Sequence, residues 1–368
     1  MLDFSDPWRR KRSVIFAAHY VFGETMKENV AIDLGKRASY IVVERDDKIV
    51  KEGYAPTTKE GFDEYLGPLT RPTVIFESSC TVDRAVSILH DYDCKMKVVH
   101  PMKLKVIAES MKKTDKNDAH IMLQLNKVGY LPESYLPTKK IRKRRNLCRT
   151  RAFFVRNRTT VKCRIRDQAY RSGIEFKNFT KKTTKALARS SPIFEVMTNQ
   201  LNSLNLEINR LDKLISDEVK KDRYAQLLDT IPGVGEYGAL CLSSEIGDID
   251  RFPSESNIFA YAGLVPRIHQ SGDKEWKGHI TRGNSIMKWI LVECVQIHIN
   301  TCPDSTITLS FEDLRNRIGR KKAVIAAARR LLRLVYYMLK RNMDYGSYEI
   351  RAGRRVGFTT AALQRPLE

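Results

Sequence analysis

Asn29-Val30-Ala31-Ile32-Asp33-Leu34-Gly35-Lys36-Arg37-Ala38-Ser39-Tyr40-Ile41-Val42-Val43-Glu44 is the stretch on which the fold turns. Val30 to Leu34 is a short apolar run holding one acid, Ser39 to Glu44 is β-branched and aromatic, and Lys48 to Tyr54 alternates. Gly35-Lys36-Arg37 and Arg45-Asp46-Asp47 supply turn residues between them, which predicts three consecutive strands joined as hairpins. An aspartate inside a buried strand is costly to desolvate unless something pairs with it. Asp33 is therefore both a marker of the fold and a candidate functional residue.

Reading outward, Thr57 with Glu60 has the spacing of a capping box and predicts a short helix ending near Leu66-Gly67. Thr73 to Phe76 reads as a buried strand, Val82 to Leu89 as a helix and Met96 to Val99 as another strand. A helix near Leu104 to Ser110 follows, then one opening at Lys113-Thr114-Asp115 and running to about Asn126. Three hairpin strands followed by βαβα units is the order of an RNase H-like domain, an α/β class.

This order picks out three more acids. Glu77 falls at the carboxyl end of the second buried strand, where α/β sheets place their ligands. Asp115 and Asp118 share one face of a helix and repel unless a cation neutralises them. A helix N-terminus accounts for that pair equally well on its own. Asp33 shifts the balance toward a metal site of Asp33, Glu77, Asp115 and Asp118. Phosphodiester chemistry is well served by two divalent ions, and hard oxygen ligands suit Mg2+, or Mn2+ in its place.

The composition then changes. Residues 138–190 hold nineteen Lys or Arg against two acids, in a chain of 368 residues with net charge +22 and pI near 9.7. Phe153, Phe154, Val155, Val161 and Ile165 recur at roughly helical spacing, so the stretch reads as a basic helix with an apolar stripe. An excess of this kind points to a polyanion, and Arg142, Lys143, Arg144, Arg145, Arg149 and Arg151 are the candidate nucleic-acid contacts. Phe194, Met197, Leu201, Leu204, Ile208, Leu211 and Ile215 then alternate in threes and fours. This heptad seam predicts a coiled coil, formed within one chain or across a dimer.

Farther along, Ile231-Pro232-Gly233-Val234-Gly235 between two helical patterns matches a helix-hairpin-helix, with Gly233 and Gly235 letting backbone amides approach a phosphate. A tight turn without a ligand explains the same residues. Ser271-Gly272 opens a polar, basic loop carrying Lys274 and Lys277, and a serine on such a loop is free to act as a nucleophile or to be an ordinary turn residue. Lys321 to Lys340 is an amphipathic helix, and the tail beyond it is polar.

Other classes recede. No apolar run approaches the ~20 residues of a membrane span. Seven scattered cysteines (Cys80, Cys94, Cys148, Cys163, Cys241, Cys294, Cys302) contain no CxxC pair, which fits a reducing cytoplasm better than a disulfide framework or zinc ribbon. Trp8 to Phe22 faintly resembles a signal peptide, but His19 and Tyr20 break its apolar part. A short extension before the first strand, with Met26 as an alternative start, is the preferred reading.

Ala31-Ile32-Asp33-Leu34-Gly35, Ile75-Phe76-Glu77-Ser78 and Lys113-Thr114-Asp115-Lys116-Asn117-Asp118-Ala119 together resemble the DEDD signature of the IS110 family of insertion-sequence transposases. Ile231 to Gly235, Gly263-Leu264-Val265-Pro266, Ser271-Gly272 and Lys277-Gly278-His279-Ile280-Thr281-Arg282-Gly283-Asn284 resemble that family's C-terminal domain, in the family's order. The resemblance implies an RNase H-like (RuvC-like) domain over 29–137, a basic helix and coiled coil over 138–222, and a helical transposase domain over 223–345. An extension at 1–28 and a tail at 346–368 flank them. It further implies recombination of DNA through a serine–DNA linkage at Ser271, with the four carboxylates and Mg2+ completing the site. A structured non-coding bridge RNA that reads the targets, homodimers pairing into tetramers, and a cytoplasmic, nucleoid-associated location are implied too. Two other readings stay open on the residues alone: a metal-dependent nuclease or junction resolvase without serine chemistry, and a non-catalytic nucleic-acid-binding protein.

Overall fold

The computed structural model describes residues 27–79, 81–107, 114–271 and 274–351; of residues 268, 269, 271, 274–277, 279 and 351 it describes the backbone alone. The expected extension, Lys113 and most of the tail lie outside the described residues. The chain divides between Leu136 and Pro137 into two compact units.

In the first unit β1 (Glu28–Asp33), β2 (Ala38–Arg45) and β3 (Lys48–Pro56) form the expected antiparallel run. Helix α1 (Lys59–Leu66) leads to β4 (Thr73–Glu77), which lies parallel to β1. Helix α2 (Val82–Leu89) leads to β5 (Lys95–Val99), parallel to β4. Helices α3 (Pro101–Ile107) and α4 (Asp115–Lys127) precede the short edge strand β6 (Glu133–Ser134), antiparallel to β5. The resulting order β3-β2-β1-β4-β5-β6 is consistent with an RNase H-like fold.

Strand alternation sorts the side chains onto two faces. Val30, Ile32, Ile41, Val43, Val74 and Phe76 pack against Phe62, Leu66, Ala85 and Leu89 of α1 and α2. Ala31, Tyr40, Val42, Ile75 and Val99 pack instead against Leu104 of α3 and Ala119, Met122 and Leu123 of α4. One detail differs from the capping-box reading. Thr58, not Thr57, caps α1 by accepting from the Gly61 amide at 3.2 Å. Thr57 is buried, with its hydroxyl on Ser39 and on the Gly35 carbonyl.

The second unit is helical. The basic stretch forms one 33-residue helix, α5 (Lys139–Arg171), followed by α6 (Lys181–Ser190) and the 28-residue α7 (Pro192–Val219). Both α5 and α6 pack along α7. Four positions of the heptad seam, Phe194, Leu201, Ile208 and Ile215, are buried, whereas Met197, Leu204 and Leu211 are only half-covered. Then come α8 (Arg223–Asp229), α9 (Gly235–Ile246), a 3-10 turn (Ile249–Arg251) and α10 (Glu255–Ala262). Strands β7 (Pro266–Ser271) and β8 (Lys274–Ile280) pair antiparallel, and α11 (Ser285–Thr301), α12 (Thr306–Ile318), α13 (Arg320–Arg341) and α14 (Tyr345–Arg351) close the unit. Cys148 of α5 and Ile215 of α7 share the core of α9, α11 and α13. The basic and heptad helices are therefore built into the same body as the C-terminal helices.

Candidate active site and nucleic-acid interface

Asp33 is the last residue of β1 and Glu77 the last of β4, on adjacent parallel strands with Ile32 opposite Phe76. Strand alternation turns both toward the face that α4 covers, beside Ala31 and Ile75. Thr114 caps α4 by accepting from the Asn117 amide at 3.2 Å, which places Asp115 and Asp118 in the first helical turn. Three separate elements thus bring the four acids to one end of one sheet face. The Asp33 carboxyl is pushed up to about 6, first by burial and then by the charges of Asp115, Asp118 and Glu77, with a hydrogen bond to Asp115 adding to it. Three neighbouring carboxylates raise it.

Asp33 and Asp115 are in direct contact, but among the described residues no three His, Cys, Asp or Glu side chains are gathered around a common point. Carboxylates placed this near one another repel, and that repulsion opposes tight convergence. The donor set, all hard oxygen with excess negative charge, nevertheless fits a divalent cation.

The sequence did not single out the residues that hold α4 in place. Glu52 on β3 takes Lys116 as an ion pair and His120 at 2.6 Å. Tyr54, two residues along the same strand, donates to Asp115 at 3.2 Å and meets Tyr40 edge-on at 4.9 Å. Glu52 and Tyr54 share a face with Tyr40, which is the alternation that could have revealed them.

The basic residues divide into two groups. Arg144 is buried, reaching Glu218 at 3.1 Å and pairing with Asp222. Arg145 donates to the carbonyls of Ser244 at 2.7 Å and Glu245 at 3.0 Å. Arg149 grips the buried Glu245 carboxylate at 2.8 Å, and Arg151 pairs with Asp212 at 2.9 Å while its guanidinium lies 4.1 Å over the Tyr237 ring. Arg142 donates to the Pro137 carbonyl at 2.6 Å, while Lys143 and Arg149 are the exposed members of the six. Of the residues expected to face nucleic acid, Arg144, Arg145 and Arg151 are largely desolvated and partnered in the packing of α5, whereas Arg149 pairs with Glu245 and stays about half exposed.

The hairpin Ile231–Gly235 also has a packing role. A Cβ on Gly233 would stand 2.6 Å from the His298 amide nitrogen, so the glycine lets α11 approach. Gly235 opens α9 on the exposed side. Beside it lies a cavity of about 460 Å3 whose lining includes Asp212, Glu236 and Glu293 against the single, already paired Arg151. That acidic rim opposes a phosphate at this helix start.

Ser271 was expected on a loop. Its backbone instead ends β7, opposite Lys274, with Lys277 farther along β8 opposite Ile268. A polar hairpin carries no apolar period to betray its strands. The side chains of Ser271, Lys274 and Lys277 lie outside what is described. The base of this arm is a backbone contact. A Cβ on Gly283 would fall 2.3 Å from the Gly263 nitrogen, and Gly263 itself has φ +67°, so the two feet of the arm touch backbone to backbone. Asn284 caps α11 and donates to Glu245 at 2.8 Å. Glu245 therefore links the Arg149 side chain of α5 to the foot of the arm. Its distance in sequence from both partners hid this hub.

Two family models match the chain. One described as a DEDD transposase of IS110 type covers residues 30–169, and the IS116/IS110/IS902 transposase family model covers residues 225–308. A probable family 20 transposase of Pseudomonas aeruginosa is 25% identical over 63% of this chain and 75% of its own length. The transposase for insertion sequence element IS1111A of Coxiella burnetii is 26% identical, over 67% and 72%. The pilin gene-inverting protein of Moraxella bovis is 24% identical, over 68% and 74%. With four acids at one end of a sheet whose order is consistent with an RNase H-like fold, and both domain models matched in order, the chain belongs to the IS110 family of DNA transposases.

Proposed function

We propose that the chain cuts and rejoins DNA by transesterification, with Ser271 as nucleophile and Asp33, Glu77, Asp115 and Asp118 as the ligands of a divalent metal, Mg2+ or Mn2+. The observation that carries this reading is the placement of the four carboxylates at one end of one sheet face, with Asp33 raised by burial and by its three neighbours. A divalent ion there would offset the cluster's charge and stabilise charge developing on a phosphoryl group. The protein's own part is positional: β1 and β4 fix Asp33 and Glu77, while Glu52 and Tyr54 hold the first turn of α4 against them.

At Ser271 an Oγ–phosphorus bond forms as one phosphorus–oxygen bond to a deoxyribose breaks. The serine gives up its proton and the departing deoxyribose oxygen gains one. Because one phosphoester replaces another, rejoining needs no outside energy source. Gene inversion, which the name of the Moraxella relative states for that protein, requires rejoining and favours this chemistry over hydrolysis. A bridge RNA as targeting partner, dimers pairing into tetramers through the α7 seam, and a helix-hairpin-helix at Ile231–Gly235 belong to the same proposal. The acidic rim beside Gly235 supports the last of these least.

The second reading is a metal-dependent nuclease, since the carboxylate cluster alone suffices for hydrolysis. Trapping the reaction under denaturing conditions separates the two. Wild type should carry covalently attached DNA, and Ser271→Ala should carry none while still binding DNA. Full recombination by Ser271→Ala, or an adduct on another residue, would return the protein to the nuclease reading.

A further inference from the structure

Arg144, Arg145 and Arg149 in the first third of α5 engage their guanidiniums with partners inside the protein, which turns attention to the cations farther along the helix. Farther along the same helix, Arg158, Lys162 and Arg166 recur every four residues and so share one face, spaced by about 6 Å of helix rise. Lys162 stands 5.5 Å and Arg166 5.2 Å from the ring of Phe179, on the segment that follows α5. Phe176 braces that ring edge-on at 4.9 Å, and Phe176, Phe179 and Val161 pack against the core of Ile165, Leu187 and Phe194. The one acid nearby on the helix, Asp167, is taken by Arg164 and Arg171. Among the described residues no carboxylate pairs with Arg158, Lys162 or Arg166.

Three unpaired cations in a row repel one another. Consistently, Lys162 is held below the ordinary lysine range by partial burial and by the charges of Arg158 and Arg166. Such a row, fixed on a rigid helix and steadied by an aromatic ring, is arranged for a chain of anions at regular spacing. We propose that Arg158, Lys162 and Arg166, backed by Phe179, form a phosphodiester-backbone clamp that grips a nucleic-acid strand along α5. The clamp rests on the reading of this chain as a nucleic-acid-processing enzyme and narrows where the backbone is held. It recognises phosphate, which DNA and RNA share.

The test compares two triple variants of the full-length protein that lose equal charge. One is Arg158→Gln with Lys162→Gln and Arg166→Gln. The other is Arg210→Gln with Lys220→Gln and Arg317→Gln, three exposed bases already paired with Glu207, Asp217 and Asp313. Binding to a duplex DNA and, separately, to a structured RNA hairpin is measured across a salt series. The clamp variant should bind at least one of them roughly tenfold or more weakly, with a log–log salt slope shallower by about two to three units. The control should follow wild type. Whichever ligand loses affinity identifies the strand that the clamp holds. Without nucleic acid the clamp variant should melt close to wild type, since the repulsion it sheds offsets the two ring contacts to Phe179 that it loses. Equal losses in the two variants, or an unchanged slope in the clamp variant, would overturn the clamp alone. Absence of wild-type binding to either ligand at low salt would remove the broader reading with it.

Discussion

Asp33 pays for its position in stability, and the sign of that cost is measurable. Its carboxyl titrates near 6 in the folded chain against an ordinary value of 3.8, because ionising it beside Asp115, Asp118 and Glu77 is unfavourable. A folded-state value raised this way makes the group's contribution fully favourable below about pH 4. The contribution is lost as pH rises through about 6. Asp33→Asn removes the charge and keeps the shape. With chelator present, the variant should melt above wild type at pH 7, and the gap should close below about pH 4. Divalent metal should raise the wild-type midpoint and leave the variant's nearly unmoved, while DNA cleavage by the variant is lost. A variant that melts with wild type at every pH would mean Asp33 is not opposed by its neighbours.

At the scale of elements, α7 has two kinds of apolar position along one seam. Ile208 is buried within the chain, so Ile208→Asp places an unpaired charge in the core and should cost roughly 3–5 kcal/mol, read as a lower denaturation midpoint. Leu204 is half-covered and has less to lose inside one chain. If the seam also joins two copies, as proposed, Leu204→Asp should keep its melting point at low concentration yet shift the protein toward monomers in sedimentation. Equal destabilisation by the two variants, with no change in association, would confine the seam to a single chain. The contrast matters because the heptad pattern alone cannot tell these positions apart: both are leucine or isoleucine in phase, and only the packing of α5 and α6 decides which is covered.

For the whole molecule, a net charge of +22 leaves the free protein opposed by its own field. Adding duplex DNA at low salt should therefore raise the melting midpoint, by about 2.7 kcal/mol of stability at a hundredfold excess over the dissociation constant. Moderate salt should erase most of that gain. A midpoint indifferent to DNA at low salt would count against a polyanion partner. This charge was legible in the sequence, and so was the first unit, because hairpin turns and strand alternation act over a few residues and leave a local trace. Asp33, Glu77, Asp115 and Asp118 could be read for the same reason, each standing at a strand end or helix start. The duties of the arginines could not. The partners of Arg144 and Arg145 lie 74 to 100 residues downstream, and nothing local marks which guanidinium is buried. The polar strands around Ser271 were missed because their pairing is backbone-driven and has no apolar face to announce it.

The contact between Gly263 and Gly283 has a bearing on heredity. Every amino-acid change reachable from a glycine codon by one nucleotide adds a Cβ; Gly283 has no room for one, and at Gly263 it would meet backbone at 3.0 Å in a left-handed conformation that side chains rarely adopt. No substitution at one position makes space for a substitution at the other, because each intrudes on the other's backbone. Copies of this gene that drift can therefore revise the rungs of the arm carrying Ser271, but not its hinge point. A lineage in which either glycine has changed should be found among decayed copies rather than among mobile ones.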